Sequence, residues 1–464
     1  MNVKPRRPLF HYRRRSNLYR MFLWACLILA GIWFISQVER GAIKPPFLPT
    51  PTPTRTVQSY AMEGDAFFEA GYLGAAITAY QEAVRVDPTN AEVWAKLARI
   101  QTYSSSLMTT DEQRKARLEE ARYSIDQAVA VAPDDSTVHA IRAFVLDWNA
   151  ALPTLADDES QKLLTEAEQE AVRALQLDNQ NVLALAFYAE ILVDQQKWTQ
   201  AEQYIRQAAE RDPTLMDVHR VYAYVWESLG QYGKAIEEYQ KAIEINPNLS
   251  FLYISLGVNY RQLRNYDLAL EYFTKAARLN DQLEIKDPIP YIAIARTYAQ
   301  QGEFFIAAHN AQKALEIDPA NADIFGQLGI IYFKSRNYEG SIPVLRCAVR
   351  GCTAQESCEA RFGRDCDPDF GEVGIDVEGL SLSSNTVVYY YTYGSVLAAL
   401  SRPQQNYCPE ALEVLGEVRA AYPNDPTVIS IVQAGEQICY SLLESLSQTP
   451  TPYPTPTPVP TPVP

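Results

Sequence analysis

The sequence is poor in the groups that usually carry out chemistry. Only four histidines occur in 464 residues, His11, His139, His219 and His309. That scarcity excludes a histidine-rich metal centre, and no H-E-x-x-H motif is present. Neither a nucleophile elbow nor a phosphate-binding glycine loop occurs. The seven cysteines form no C-x-x-C pair, which argues against zinc. Acidic pairs such as Glu237-Glu238 and Asp157-Asp158 read as solvated helix faces. We therefore expect no enzyme: no catalytic residue, no cofactor and no metal.

Positive charge is scarce beyond the N-terminus. Nine Lys/Arg and one acidic residue, Glu39, lie within residues 1–44, leaving 32 Lys/Arg against 55 Asp/Glu in the rest. An acidic body repels phosphates, so nucleic acid is not an expected partner. The composition is nonetheless that of a folded chain, with 47% hydrophobic and 21% charged residues.

One long run without charge is present, from Met21 to Val38. Its 18 residues are near the short end of what crosses about 30 Å of hydrocarbon. Arg6, Arg7, Arg13, Arg14, Arg15 and Arg20 precede it, which places the N-terminus in the cytoplasm and the later chain outside. No small-residue cleavage site follows, so residues 21–38 read as a retained signal anchor in the plasma membrane, after a basic segment 1–20. Cys26 then acts as a small membrane-buried hydrophobe. Residues 39–56 form a Pro/Thr-rich stalk, and residues 447–464 end the chain in the same material. Alternating proline removes donors and keeps such tracts extended, as spacers or as contacts to an envelope polymer.

Between these tracts the sequence repeats. Asp87-Pro88, Asp212-Pro213, Asn246-Pro247 and Asp318-Pro319 each close an apolar helical segment. Upstream stand Ala76…Tyr80…Ala83, Ala201…Ile205…Ala208, Ala235…Tyr239…Ala242 and Ala307…Ala311…Ala314. Small residues so spaced share one helical face, where another helix can approach closely. Trp94 with Leu97, the set Phe325, Leu328, Gly329 and Tyr332, and the phrase Glu271–Ala276 complete a pattern that resembles the tetratricopeptide repeat. That repeat reads W-x2-L-G-x2-Y…A-x3-F…P over 34 positions. The resemblance covers about four-fifths of the chain and implies an all-α superhelical solenoid of antiparallel helix pairs behind the N-terminal transmembrane helix.

Repeat starts fall near Val57, Ala91, Ser136, Val182, Met216, Ser250, Pro288, Ala322 and Val387. Repeats one to eight occupy 57–350, and the ninth occupies 387–426. Residues 427–446 then form a capping helix, as a solenoid end requires. The second and third repeats need insertions, around Ser104-Ser105-Ser106 and Leu152-Pro153-Thr154.

Residues 351–386 interrupt the array as a cysteine-containing loop without helical period. Six cysteines lie beyond the anchor: Cys347, Cys352, Cys358, Cys366, Cys408 and Cys439. An even number outside a membrane argues for three disulfides. Cys408 and Cys439 stand at similar heights on antiparallel helices and are expected to pair; the other four permit three pairings. Asp365, Asp367, Asp369 and Asp376 raise the question of calcium. Phe370 stands where an EF-hand turn needs glycine, so a solvated acidic loop is the preferred reading.

The resemblance also implies a concave face lined by the first helix of each repeat. Carried onto this chain, it names Asp217, Arg220, Tyr224 and Glu227, then Phe251, Ile254, Val258 and Arg261. Ile289, Ile292 and Arg296 follow, then Asp323, Ile330 and Phe333. The lysines and asparagines of a carboxylate clamp are missing from these positions. The expected function is a membrane-anchored scaffold that binds a protein or peptide partner in this groove. The alternative is a structural tether of the envelope that uses stalk and tail as its contacts.

Overall fold

The computed structural model describes residues 17–39, 55–108, 110–367 and 372–447. The arginine-rich head before residue 17, the Pro/Thr stalk over 40–54, Asp369 and Phe370, and the tail from 448 lie outside the described residues. The described residues are all helical apart from connections and two isolated bridges.

Two units are present, Met1–Arg55 and Thr56–Pro464. The first contributes α1, Leu18–Glu39. Within it Leu18–Val38 has a mean hydropathy of 2.0, long and apolar enough to cross a membrane. No charged residue interrupts Met21 to Val38, and the helix meets the length that a bilayer demands.

The second unit is a run of antiparallel pairs. It opens with α2 Val57–Glu69 and α3 Leu73–Val86, α4 Ala91–Ser105 and α5 Asp111–Val131, and α6 Ser136–Ala150 and α7 Asp157–Leu177. Then come α8 Val182–Asp194 and α9 Trp198–Arg211, α10 Met216–Ser228 and α11 Tyr232–Ile245, and α12 Ser250–Gln262 and α13 Tyr266–Gln282. The next two pairs are α14 Ile289–Gln301 with α15 Phe304–Ile317, and α16 Ala322–Lys334 with α17 Tyr338–Arg350. A short α18, Ala354–Phe362, precedes α19 Val387–Leu400, α20 Cys408–Ala421 and α21 Pro426–Ser447.

Two local devices recur along the array. Asn90, Asp135, Asn181 and Asn321 cap first helices by accepting backbone N–H groups at Val93, Val138, Ala184 and Ile324. The turn before the helix is tied down by an aromatic or histidine six residues after its proline. Trp94 Nε1 donates to the Pro88 carbonyl at 2.9 Å, and Tyr253 Oη to that of Pro247 at 2.9 Å. His139 and His219 make the same bond to Pro133 and Pro213. This gives a physical reason for a large polar-tipped ring at that point of the repeat.

Between paired helices, alanine makes room. Ala76, Ala83, Ala201, Ala208, Ala235, Ala242, Ala307 and Ala314 are all fully buried. Gly257 does the same for α12 and α13, since a Cβ there would sit 2.6 Å from the buried Phe273 ring. Gly257→Ala is expected to cost about 1–3 kcal/mol through overpacking, read as a shift in a denaturant midpoint. An unchanged midpoint would show that the pair can spread.

The insertions in repeats two and three lengthen their second helices: α5 and α7 have 21 residues each, where α3, α9 and α11 have 14. The inner helices α4, α6, α8 and α10 pack directly side by side, whereas α12 and α14 touch only lightly. Long outer helices over closely packed inner ones bend the array sharply in its first half. The bend brings distant repeats together. Asn248 Nδ2 donates to the Glu69 carbonyl at 3.0 Å, joining the start of repeat six to the end of α2. Gly71 allows this approach. Its φ is +87°, and a Cβ would lie 2.1 Å from the Asn248 carbonyl oxygen.

The segment after α17 is more ordered than its lack of period predicts. It holds α18, nine residues with a capping box between Thr353 and Glu356. Nine residues are too few for a helical period to show in the sequence. Cys347 bonds Cys352, Cys358 bonds Cys366, and Cys408 bonds Cys439, joining α20 to α21. Cys352 and Val377 exchange backbone hydrogen bonds at 2.9 Å. The segment thus folds back against the end of α17, and Tyr390 of α19 donates to Leu380.

Candidate functional site

The concave side of the repeat unit divides into two parts with opposite chemistry. In the first half it is filled by the chain's own charged side chains. Asp217 of α10 is 1% exposed and receives Arg99 of α4, with Nε donating to Oδ1 at 2.9 Å and Nη2 to Oδ2. The Tyr103 hydroxyl donates to the same Oδ1 at 2.5 Å. Burial opposes the charge of Asp217, but Arg99 beside it and these hydrogen bonds hold its carboxyl below the usual carboxylate range. Phe251 of α12 stacks on Tyr103 at 5.5 Å between centroids.

Beside this set, Arg220 is buried and forms a fork with Glu190 of α8, Nη1 to Oε1 at 2.8 Å and Nη2 to Oε2 at 2.5 Å. Its Nε donates to Tyr103 Oη at 3.2 Å, and its guanidinium lies over the rings of Tyr103, Phe144 and Trp148. Arg220 and Phe251 are therefore internal packing elements and not open groove surface. Their burial follows from the bend, which folds the concave face of repeats two to six onto itself.

A cavity of about 480 Å³ remains inside the bend. Tyr224, Ile254 and Ile289 line it, together with Asp147, Trp148, Glu190 and Asp194. Tyr224 donates to Asp194 Oδ1 at 2.5 Å. Burial pushes the Asp194 carboxyl up to about 6, and burial with Asp194 and Glu190 nearby pushes Asp147 well above its ordinary value. The concave-face pattern, applied from the fifth repeat onward, does not name these acids. The same pattern in repeats three and four falls on them.

In the second half the concave side is open. A trough of about 360 Å³ is lined by Arg261, Arg296, Gln327, Ile330, Lys334 and Tyr389, with no carboxylate among its lining residues. Arg296 Nε donates to Gln327 at 2.6 Å. Arg261 Nη1 has no hydrogen-bond partner, and burial with Arg296 nearby lowers its pKa. Val258 is half-buried against Ala269 and Phe273, while Ile292 is buried in the core. Phe333 is 37% exposed and touches Tyr338.

The cysteine-containing segment and the α4–α5 insertion reach across this side. Thr110, Asp111 and Arg114 share a pocket with Arg296, Asp323, Asn385 and Thr386. Tyr389 donates to Asp323 at 2.7 Å. Among the described residues, no three His, Cys, Asp or Glu side chains are grouped to hold a metal ion.

Comparison with known proteins supports the architecture. A TPR repeat model matches residues 64–101, and tetratricopeptide repeat models match 188–250, 250–283 and 292–356. These segments are tetratricopeptide repeats. No curated protein matches the chain. Among solved structures, the human IFIT1 dimer with m7Gppp-AAAA is 15% identical, with a TM-score of 0.50 over 89% of this chain and 93% of that one. Yeast Tom70 is 14% identical, with a TM-score of 0.42 over 84% and 89%. A thermophilic TPR protein of Thermus thermophilus is 17% identical, with a TM-score of 0.37 over 44% of this chain and 98% of that one. The likeness extends to the helical solenoid fold.

Proposed function

We propose that the chain is a non-enzymatic interaction scaffold, anchored through residues 21–38, whose repeats stand outside the cytoplasm. The open second-half trough is its docking surface. The observation that carries this reading is the trough's lining: three cations and no carboxylate, beside the apolar Ile330, in a strongly acidic chain. Arg296 with a single amide partner and Lys334 suit a carboxylate, while Ile330 and Val388 suit apolar side chains. The partner is thus a protein segment that carries an acidic group among apolar residues.

The orientation rests on the arginines ahead of the span and on the three disulfides beyond it, which fit an oxidising compartment. The Pro/Thr tracts serve as spacers, with contact to an envelope polymer as a second use. The closed first half is what a structural strut requires, so both roles coexist along one array.

To test the docking surface, the detergent-solubilised full chain is used as bait for solubilised envelope proteins, beside the variant R296E/K334E. The docking reading predicts a partner retained by the parent and reduced at least about tenfold by the variant, with the circular dichroism of both unchanged. Equal capture by both moves binding to another face. No partner at all favours the strut.

A further inference from the structure

The first-half cavity contains a charge arrangement that nothing in the solenoid itself requires. Asp147 on α6 is 1% exposed, and its Oδ1 accepts no hydrogen bond. Asp194 on α8 accepts from the Tyr224 hydroxyl and pairs side chain to side chain with Asp147, so the two acids act on each other. The cations that line the same space are committed elsewhere. Arg220 is forked to Glu190, and Arg114 pairs with Asp111 at 3.3 Å and donates to the Met108 carbonyl. The Tyr239 hydroxyl donates to Glu227 and not into the cavity. Two carboxylates therefore line about 480 Å³ of space, and the one cation acting on both, Arg220, is already forked to Glu190.

We infer that this cavity binds an organic cation, an ammonium or guanidinium carried on an apolar body, with Asp147 and Asp194 as its counter-ions. Two buried acids that face each other are costly to ionise, and a cation within hydrogen-bond reach offsets that cost. The volume lies in the range of small-molecule pockets, about 300–1,000 Å³. The walls supply the apolar contact: Trp148, Phe251, Ile254 and Ile289. A metal ion fits less well, because the acids are not grouped as metal ligands. An anion is opposed by the surplus of carboxylate. This inference is independent of the docking reading, since cavity and trough are lined by different residues.

Without a cation, the two acids relieve their repulsion by keeping a proton. A bound ammonium takes over that role, so its binding releases a proton wherever the pair is still protonated. Glu190, Arg220, Tyr224, Arg114 and Tyr239 are the other titratable groups lining the cavity. Glu190 and Arg220 neutralise one another, and Asp147 and Asp194 carry the effect.

The test is calorimetric titration of the full chain in detergent with 2-phenylethylammonium and 1,5-diaminopentane. 2-Phenylethanol serves as the neutral isostere, and a short lysine-containing peptide distinguishes a partner's side chain from a free amine. The expected result is saturable binding of a cation, at least about tenfold tighter than the alcohol. Proton release is read by repeating the titration in buffers of different ionisation enthalpy at pH 6. Asp147→Asn and Asp194→Asn each reduce the affinity at least about tenfold. Both variants keep the side-chain shape and remove a buried charge, so each is expected to stay folded with an unchanged or raised Tm. If the peptide alone binds, the same chemistry is met by a partner's lysine. Failure of every cation to bind at millimolar concentration overturns the inference, as does equal binding of alcohol and amine.

Discussion

Replacing Asp217 with alanine is expected to destabilise the repeat unit by about 3–5 kcal/mol, the cost of breaking a buried ion pair from one side. The carboxylate is buried and accepts from Arg99 and from the Tyr103 hydroxyl. Its removal leaves a guanidinium with 20% side-chain exposure and a phenol with no exposure, both without their acceptor. The position also matters for topology, because Arg99 and Tyr103 lie on α4 and Asp217 on α10. Asp217→Asn keeps an acceptor oxygen and is expected to cost about half as much. The double variant R99M/D217L replaces the pair by apolar groups and is expected to recover most of the loss.

The pair's pH dependence has a definite sign. The folded carboxyl lies below its unfolded value, so its contribution is complete above about pH 4 and is lost as pH falls through the folded pKa. Urea denaturation at pH 7 measures all three variants. A loss below about 1 kcal/mol for Asp217→Ala would mean that the closed first half does not depend on this bridge.

Asp287 is expected to act in the opposite direction. It is 3% exposed, accepts from the Ile289 backbone N–H and Asn280 Nδ2, each at 2.9 Å, and meets no cation in these bonds. Burial pushes its carboxyl up to about 6 despite these bonds. The folded state therefore holds a proton that the unfolded state releases near pH 4. That stability is present below about pH 4 and is lost as pH rises through 6. At about 1.36 kcal/mol per pH unit, a carboxyl pushed up to about 6 sets the loss at about 3 kcal/mol by pH 7.5.

Asp287→Asn removes the titration. The new amide oxygen still accepts from Ile289, and Asn280, whose Oδ1 has no partner, can turn to accept from the new amide nitrogen. The variant is expected to match the parent near pH 4 and to exceed it by about 2–3 kcal/mol at pH 7.5. Paired melting curves at the two pH values test this, and parallel behaviour of parent and variant would contradict it. Asp194, also pushed up to about 6, adds a loss of the same sign in the parent over the same range.

These two residues also show what the sequence makes legible. The helix pairs are written locally. The alanines of each second helix, the asparagine caps and the proline turns all act within a few residues of themselves, so periodicity reveals them. The Cys408–Cys439 bond followed from equal heights on adjacent helices and is present in the structure. Asp217 could be placed on the concave face, but its partner lies 118 residues earlier, and no local period encodes that distance. It depends on the summed bend of repeats two to five, which is set by how closely α4, α6, α8 and α10 pack. For the same reason Arg220 and Phe251 were legible as concave and not as buried. The cavity acids needed only the pattern extended into repeats whose insertions blurred their register. Asp287 sits in the connection before α14, where no repeat position predicts a buried carboxylate.

The docking claim is tested most directly by placing a photoreactive phenylalanine analogue at single positions of the full chain and irradiating it in its own membrane. A probe at Ile330 or Val388, in the lining of the basic trough, is expected to give one discrete crosslinked partner. A probe at Phe187, fully buried in the first half, should give none. A partner captured equally from the outer α9 surface at Trp198 would contradict docking in the second-half trough.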